Sequence, residues 1–212
     1  MASVAINVDR PWLWRSRGWV SLLLIGPVFL LVAFSPLPWK LDSWAEYGMT
    51  TFGWILFLAG GAYRFWASLY IGSRKALMVM QDGPYSMCRH PLYFGTLLLT
   101  LSAGFILQSV GLIAAIFLVS IVYLGITIPR EEAALVGGFG QKYRDYQKNV
   151  SQLIPNPRTF RTPAVIEVTI EGLTAEVKRA MRWVLIPGAC YLVLHLRAQE
   201  WWPTFSVWQL WQ

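Results

Sequence analysis

Hydrophobic and polar positions alternate along this chain in long blocks, not residue by residue. Four apolar blocks, at about residues 19–34, 50–71, 91–108 and 112–128, each approach the roughly 20 helical residues that cross a bilayer. A fifth block, at about 183–196, is shorter. Apolar runs of this length predict an all-α, polytopic membrane protein with about five transmembrane helices. The fifth block forms either a complete span or a re-entrant helix, and we favour the span.

Proline and polar residues mark where the central helices begin and end. Pro91 suits the first turn of the third helix, where its missing N–H costs nothing, and Pro129 is predicted to close the fourth. The residues at 108–111 form a tight turn, so the third and fourth helices make a helical hairpin. The polar segments that flank this hairpin, at 83–93 and 130–146, are therefore expected at the same membrane face.

After the hairpin the sequence becomes more polar. Residues 151–163 contain three prolines and are predicted as a loop, and Leu173–Trp183 as an interfacial helix with Thr174 as its N-cap and basic side chains toward lipid headgroups. Residues 130–150 are predicted as an amphipathic helix interrupted at Gly137, Gly138 and Gly140. Its apolar face is expected to contain Leu135, Phe139, Tyr143, Tyr146 and Val150.

The composition supports one membrane domain over residues 1–212. The chain is 56% hydrophobic and 14% charged, contains 12 Trp, and has a mean hydropathy of +0.46, which excludes an ordinary soluble domain. Its two cysteines, Cys88 and Cys190, are too few for a disulfide framework and lack the spacing of a metal site. No bound metal is expected.

The net charge of +7 is better explained by membrane topology than by nucleic-acid binding. With five spans and a cytoplasmic N-terminus, every Lys and Arg except Lys40, Arg64 and Arg197 lies on the cytoplasmic side. Both polar segments then face the cytoplasm. Membrane lipids are the expected partners, and a nucleic-acid partner is not expected.

The densest cluster of polar side chains lies in the segment 83–95, Gly-Pro-Tyr-Ser-Met-Cys-Arg-His-Pro-Leu-Tyr-Phe-Gly. Beyond the hairpin follow Glu131 and Glu132, and then Phe-Gly-x-x-Tyr-x-x-Tyr over 139–146. Over about residues 50–158 this combination resembles the integral-membrane methyltransferases, a family that includes isoprenylcysteine carboxyl methyltransferase and the phospholipid N-methyltransferases. The C-terminal extension 159–212 carries no signature of that family.

The resemblance implies an S-adenosylmethionine-dependent enzyme whose cytoplasmic cofactor site is formed by the segments flanking the hairpin. It also implies a catalytic arginine just upstream of the glutamates, where the nearest arginine is Arg130. The cofactor ligands that it implies are Leu77, Met78, Val79, Met80, Tyr85, His90, Pro91, Leu92, Tyr93 and Glu132. The candidate catalytic residues are Glu131, Arg130, Arg64 and Arg89.

The chemistry of these residues suits such a cofactor. Glu131 or Glu132 can accept hydrogen bonds from its ammonium group or ribose hydroxyls, and Arg89 or His90 can meet its carboxylate. Tyrosine hydroxyls suit its other polar groups, and an aromatic face suits a sulfonium cation. Because the sulfonium methyl group is already activated, catalysis reduces to positioning. A carboxylate or thiolate acceptor needs no general base, whereas an amine would have to lose a proton, which Glu131 or His90 could take.

Each candidate residue also has a simpler explanation. Arg64 or Arg130 is placed to orient an anionic acceptor, but Arg64 can equally snorkel to the membrane interface. His90 can cap the next helix, and the glutamate pair can be a solvated pair at a helix start, where the dipole favours acids. The aromatic face after the hairpin favours packing over catalysis.

The sequence leaves the methyl acceptor open. The membrane setting favours a lipophilic acceptor from the bilayer, such as an isoprenylcysteine carboxylate or another isoprenoid or lipid. A phospholipid amine and a small thiol are alternatives within the same family. A non-catalytic transporter or sensor is the rival from another class, although Arg64 is the single ionisable residue within the first four predicted spans. No oligomeric state is indicated.

Overall fold

The computed structural model describes residues 26–72, 78–166, 168 and 170–205. Within these residues the chain is all-helical, apart from one isolated β-bridge between Cys88 and Ser151. The helices are α1 (26–33 within the described part), α2 (Trp44–Ile71), α3 (Pro84–Met87), α4 (Pro91–Ile106), α5 (Val110–Phe139), α6 (Gln141–Asn149) and α7 (Ile170–Arg197), with a 3₁₀ turn at Pro157–Thr159.

The predicted hairpin is confirmed, because α4 begins at Pro91 and α5 follows after a tight turn. Gln108 adopts a positive φ of 54° in this turn. The hydroxyl of Ser109 accepts from the backbone N–H of Leu112 at 3.2 Å, which caps the start of α5. The chain direction therefore reverses within three residues, as the sequence predicts.

The predicted end of the fourth helix at Pro129 is wrong. Helix α5 continues through Pro129 to Phe139 and is 30 residues long. Proline removes one backbone hydrogen bond from a helix interior, but the flanking turns can carry the helix past it. The break occurs instead at Gly140, whose φ of +57° is left-handed, and Gly137 and Gly138 lie inside the helix.

Two further predicted boundaries differ from the structure. Helix α2 begins at Trp44, earlier than the predicted residue 50, because the hydroxyl of Ser43 accepts from the N–H of Glu46 at its first turn. The predicted interfacial helix and the fifth apolar block form one continuous 28-residue helix, α7. Thr174 therefore lies inside this helix and is not its N-cap.

One helix in the described part of the chain, α5, is long and apolar enough to cross a membrane, and α4 is a shorter apolar helix. Five spans, a multi-pass topology and a cytoplasmic N-terminus therefore stay predictions. The first seven residues of the first predicted span, at 19–25, lie outside the described residues.

The chain divides into two compact units. We call residues 59–97 and 123–181 the motif unit, because they contain both polar segments. The described residues of the second unit are 26–58, 98–122 and 182–205.

The motif unit has an apolar cluster around the aromatic face predicted for 135–150. Tyr143 and Tyr146 on α6 are buried with Val79 and Val150, which confirms the shared face. The partly buried side chains that pack against them are Leu135, Val136 and Phe139.

In the second unit, the C-terminal part of the chain closes the end of α1. Four successive backbone carbonyls, those of residues 33–36, accept hydrogen bonds from Arg197, Trp202 and Phe205. The last carbonyls of a helix have no partner within it, so these donors satisfy groups that would otherwise be unpaired. One buried apolar cluster of this unit contains Val32, Ile106, Leu107, Leu112, Ile116 and Cys190.

Candidate active site

Glu132, near the polar end of α5, is the centre of a buried network in the motif unit. Its carboxylate accepts from Arg89 Nε at 2.8 Å and from Gln147 Nε2 at 2.9 Å, and it lies 3.0 Å from His90 Nε2. Only 7% of Glu132 is exposed. Donors on three sides of a buried carboxylate favour its charged form. The hairpin thus brings together the two polar segments that the sequence predicted to meet.

Arg89 also holds the end of α6. Its Nη1 donates to the carbonyl of Gln147 at 2.6 Å and to the carbonyl of Val150 at 2.9 Å. Carbonyls at a helix C-terminus favour a cationic partner, so one guanidinium both caps α6 and pairs with Glu132. Sequence analysis assigned Arg89 or His90 to a cofactor carboxylate, whereas in the structure both side chains are directed at Glu132.

Glu131, one residue earlier on α5, has a different partner. Tyr93 Oη donates to Glu131 Oε2 at 2.8 Å. The ring of Tyr93 stacks on that of His90, with centroids 5.6 Å apart. The two adjacent glutamates therefore have different partners: Glu132 pairs with Arg89 and His90, and Glu131 accepts from Tyr93.

The turn that positions Tyr85 depends on Gly83. This glycine has a φ of +60°, and a Cβ built there would lie 2.3 Å from Cζ of the Tyr70 ring. Both the backbone conformation and the close ring therefore require glycine. The carbonyl of Tyr85 accepts from Tyr146 Oη at 2.7 Å, which ties the short helix α3 to α6.

The hydroxyl of Tyr85 stands out among the buried polar atoms. The residue is 5% exposed, and its Oη has no hydrogen-bond partner among the described residues. Burial raises the pKa of Tyr85 well above its ordinary value, so the hydroxyl stays a donor. An unpaired buried hydroxyl costs about 1–3 kcal/mol. It therefore marks a position where a polar group of a ligand would be stabilised.

The segment before Tyr85 carries four more of the predicted cofactor ligands. Met78 is exposed, Val79 is buried in the α6 cluster, and Met80 packs against the buried cluster that contains Tyr85. Leu77 lies outside the described residues.

Arg64 on α2 is engaged by a residue that sequence analysis did not select. Its Nε donates to Glu176 Oε1 at 2.9 Å, and its Nη1 donates to the carbonyl of Leu92 at 3.2 Å and to Thr96 Oγ1 at 2.5 Å. Glu176 lies on α7, is 4% exposed, and also pairs with Arg179. The charge of Arg64 is thus paired with the buried carboxylate of Glu176, which argues against the snorkelling alternative.

Arg130 and Cys88 stand apart from these pairs. Arg130 is exposed at the polar end of α5. Cys88 is buried, and burial raises the pKa of its thiol to about 11. The thiol therefore stays protonated and unreactive at neutral pH.

Residues 151–161, which we call the strap, hold the backbone of the first polar segment. The N–H groups of Arg89 and His90 donate to carbonyls of the strap at 2.8 and 3.1 Å, and the carbonyl of Met87 accepts from Asn156 at 3.0 Å. The N–H of Gly83 donates to the carbonyl of Arg161 at 2.8 Å. The predicted loop is thus an ordered element that fixes the positions of Tyr85, Arg89 and His90.

A cleft of about 510 Å³ lies against α6 in the motif unit. It is within the size range of small-molecule sites. None of the predicted cofactor ligands in the described part of the chain lines it. Its lining residues are Gln81, Ser86, Lys142, Asp145, Tyr146, Asn149, Val150, Thr159 and Arg161.

Gln147 and Glu176 were not predicted from the sequence. Gln147 follows Tyr143 by one helical turn, so its place next to the aromatic face was the available signal. Glu176 is a lone acid on a helix predicted to carry a basic face, and its partner Arg64 is 112 residues away. Nothing local in the sequence indicates that pairing.

Residues 49–137 match the family described as the isoprenylcysteine carboxyl methyltransferase (ICMT) family. This match covers the hairpin, both polar segments up to the glutamates, and Arg64. It confirms the resemblance that the motifs predicted: over residues 49–137 the chain is similar to this family of membrane-associated methyltransferases.

Several relatives extend the similarity beyond that segment. The chain is 25% identical to the nickel-cobalt-cadmium resistance protein NccN of Alcaligenes xylosoxydans xylosoxydans, over 92% of this chain and 90% of the relative. It is 25% identical to the cobalt-zinc-cadmium resistance protein CzcN of Cupriavidus metallidurans, over 82% and 79%. It is 31% identical to the methanethiol S-methyltransferase of Pseudomonas deceptionensis, over 74% of this chain and 58% of the relative.

No solved structure matches the chain. Within the described residues, no group of three or more His, Cys, Asp or Glu side chains is arranged to hold a metal ion. The family match and the methanethiol relatives support methyltransferase activity at a membrane.

Proposed function

We propose that this protein is a multi-pass membrane methyltransferase that uses S-adenosylmethionine and acts at the cytoplasmic membrane face. One observation carries the proposal: in the segment that matches the family, the Glu132 network lies at the hairpin ends together with the unpartnered buried hydroxyl of Tyr85. A site for a polar, cationic cofactor requires an available hydrogen-bond donor next to charged and aromatic groups, and the Tyr85 hydroxyl is such a donor.

The residues around Tyr85 fit the groups of this cofactor. The hydroxyl of Tyr85 would donate to its carboxylate or ribose oxygens, and Glu131 would accept from its ammonium group. The stacked rings of His90 and Tyr93 offer an aromatic face for its cationic centre. When bound, S-adenosylmethionine supplies a methyl group already activated by a positive sulfur.

Glu132 has a positioning role in this proposal. Its bonds to Arg89 and His90 orient the histidine ring, and the bond from Gln147 keeps α6 against α5. The strap fixes the backbone of the same two residues. The chain's own contribution is therefore a rigid, partly dehydrated site that aligns donor and acceptor.

The acceptor proposed here is lipophilic and reaches the site from the bilayer. An isoprenoid or lipid acceptor follows from the family, and a small hydrophobic thiol is favoured by the relatives named as methanethiol S-methyltransferases. Both are apolar molecules that concentrate in a membrane, which is a reason for embedding the enzyme there.

Equilibrium binding to the purified full chain tests the proposal. Calorimetry in lipid nanodiscs should detect saturable binding of S-adenosylmethionine and of its demethylated product. His90→Ala should weaken this binding at least tenfold, about 1.4 kcal/mol. Arg144→Gln is the matched control, because Arg144 is exposed on α6 and forms none of the contacts described above. If neither ligand binds the folded wild-type protein, the enzyme proposal is wrong and the non-catalytic alternative is favoured.

A further inference from the structure

The cleft against α6 has no part in the cofactor site proposed above. Its walls come from three elements of the motif unit: α6, the strap, and the segment 81–86 that contains α3. Its volume of about 510 Å³ is that of a small-molecule site. Apart from Val150, every lining side chain carries a polar or charged group, so the cleft favours a hydrophilic ligand.

The charges around the cleft favour an anion. The three wall segments, 81–86, 141–149 and 151–161, contain five basic residues and two acidic ones. A surface with a clear excess of one charge raises the local concentration of solutes of the opposite charge. All five basic side chains are exposed, and they are Lys142, Arg144, Lys148, Arg158 and Arg161.

Two of these cations line the cleft, Lys142 from α6 and Arg161 from the strap. Among the described residues, Lys142 has no ion-pair partner. Arg161 Nη2 donates to Gln81 Oε1 at 3.1 Å, and its Nε lies 3.9 Å from Asp82 in an ion pair whose side chains are 60% and 47% exposed. Because an exposed ion pair contributes little, both cations can contact a ligand.

The hydrogen-bond donors of the cleft suit a phosphate group. Asp145 is the acidic residue of the lining, and its charge is partly neutralised, since Oδ1 accepts from Gln141 Nε2 at 2.7 Å and lies 4.0 Å from Lys148 Nζ. An ammonium, a guanidinium and the amides of Gln81 and Asn149 supply donors within one cavity. Phosphate has more acceptor oxygens than a carboxylate, so it can match more of these donors.

The cleft shares a wall with the turn that carries Tyr85. Ser86 is 1% exposed, and its Oγ accepts from the N–H of Arg161 at 2.9 Å. Thr159 Oγ1 donates to the carbonyl of Ser86 at 2.7 Å, and Tyr146 Oη donates to the carbonyl of Tyr85. Residues that line the cleft therefore also hold the backbone of this turn.

We propose that this cleft is a second binding site, for a phosphate-bearing anion held by Lys142 and Arg161, and that its occupation strengthens cofactor binding. An anion that contacts both cations ties the strap to α6 and so restrains the turn that carries Tyr85. A turn already held in place loses less freedom when the cofactor binds. Because linkage is reciprocal, the cofactor strengthens anion binding by the same factor. The effect on the cofactor rests on the proposed function, whereas the anion site does not.

Calorimetry of the full chain in phosphatidylcholine nanodiscs tests the site, with inorganic phosphate as the probe, at constant ionic strength and without cofactor. We expect saturable binding. Lys142→Gln and Arg161→Gln should each weaken this binding at least fivefold. Arg161→Gln leaves the bonds from the strap to Ser86 and Gly83 in place, because they use the backbone N–H and carbonyl at position 161.

Arg158→Gln is the matched control. Arg158 is an exposed cation on the same strap, does not line the cleft, and its loss changes the net charge by the same amount. It should change the phosphate affinity less than twofold. Malonate, a dicarboxylate, should bind the wild-type protein at least fivefold more weakly than phosphate.

The same protein reports the effect on the cofactor and the source of the phosphate group. Saturating phosphate should lower the Kd for S-adenosylmethionine at least threefold in the wild type and not in Lys142→Gln. Nanodiscs that contain phosphatidic acid distinguish the sources. If the lowered Kd appears there without added phosphate and is lost in Lys142→Gln, a lipid headgroup occupies the cleft. If phosphate must still be added, the ligand is a soluble anion.

Absence of saturable phosphate binding to the folded wild-type protein would overturn the inference. So would effects of Lys142→Gln and Arg161→Gln no larger than that of Arg158→Gln, an equal affinity for malonate, or an unchanged cofactor Kd at saturating phosphate. Phosphate binding without any cofactor binding would instead overturn the proposed function and leave the cleft as an anion site.

Discussion

Two buried arginines, one in each unit, show how the same side chain serves different purposes. Arg89 pairs with the carboxylate of Glu132 and caps α6. Arg197 is 5% exposed and donates to the carbonyls of Ser35, Pro36 and Leu107 and to the hydroxyl of Ser35. Among the described residues it has no carboxylate partner.

The difference distinguishes a candidate ligand site from a purely structural set of hydrogen bonds, those of Arg197, which we call the clasp. Carbonyl oxygens at helix ends are fixed by the fold, so Arg197 serves to hold α1 and α4 to the end of α7. Glu132 and His90 are titratable groups in the segment that matches the family, and the same segment contains the unpartnered hydroxyl of Tyr85. Changes at Arg89 or Glu132 should therefore alter ligand binding, whereas changes at Arg197 should alter stability alone.

The largest effect is expected for Glu132→Ala. It leaves Arg89 and His90 without their buried partner, which costs roughly 3–5 kcal/mol of stability for a broken buried pair. Cofactor binding should fall more than tenfold in the fraction that stays folded. Thermal unfolding and calorimetry in nanodiscs measure the two effects. Wild-type affinity in the folded variant would show that the network is purely structural.

The second effect is on the clasp. Arg197→Met removes the donor to the buried carbonyl of Leu107 and to the partly buried carbonyls of Ser35 and Pro36. A buried carbonyl left unpaired costs about 1–3 kcal/mol. The unfolding midpoint should fall clearly, and cofactor affinity per folded molecule should not change. Glu200→Gln is the control, because Glu200 is an exposed neighbour. A loss of cofactor affinity in folded Arg197→Met would show that Arg197 does not act on stability alone.

Tyr85→Phe tests ligand binding separately from stability, because the variant is expected to keep or gain stability while it loses cofactor affinity. Deleting an unpaired buried hydroxyl should leave the ligand-free protein as stable as the wild type, or more stable by about 1 kcal/mol. Cofactor affinity should nevertheless fall about tenfold. Tyr146→Phe provides the contrast, since that hydroxyl has a partner in the carbonyl of Tyr85 and its loss should lower stability.

The smallest effect is expected for Cys88→Ala. Because burial raises the thiol pKa to about 11, the thiolate fraction should stay very low below that pH. Alkylation of Cys88 by iodoacetamide in the folded protein should be slow at pH 7 and should rise as the pH approaches 11. Methyl transfer by the variant should match the wild type within about twofold. Rapid labelling at pH 7 that abolishes transfer would contradict this.

The sequence was sufficient to predict the hairpin and the meeting of its flanking segments. A turn of three residues between two apolar helices leaves little choice of geometry, and the motifs then locate Arg89, His90 and Glu132. Predictions of helix ends from local sequence were wrong where tertiary contacts determine the structure. Pro129 normally ends a helix, yet α5 continues through it, and Thr174 has the chemistry of an N-cap but lies inside α7.

The candidate site was predicted in part for the same reason. Residue types at fixed spacing identified the charged groups, but their partners depend on the fold. The assignment of Arg89 to a ligand did not anticipate its two carbonyl contacts at the end of α6. Glu176 was missed because a helix outside the recognised motifs delivers it to Arg64.

The central claim is that the cofactor binds at the hairpin ends, against Tyr85, His90 and Tyr93. Ultraviolet cross-linking of labelled S-adenosylmethionine to the nanodisc-embedded protein, followed by peptide mapping, tests it directly. We predict label in the peptides 76–89 and 90–130, with labelling competed by the demethylated product. Competed label confined to the α6 cleft, at residues 142–149 and 159–161, would contradict the account.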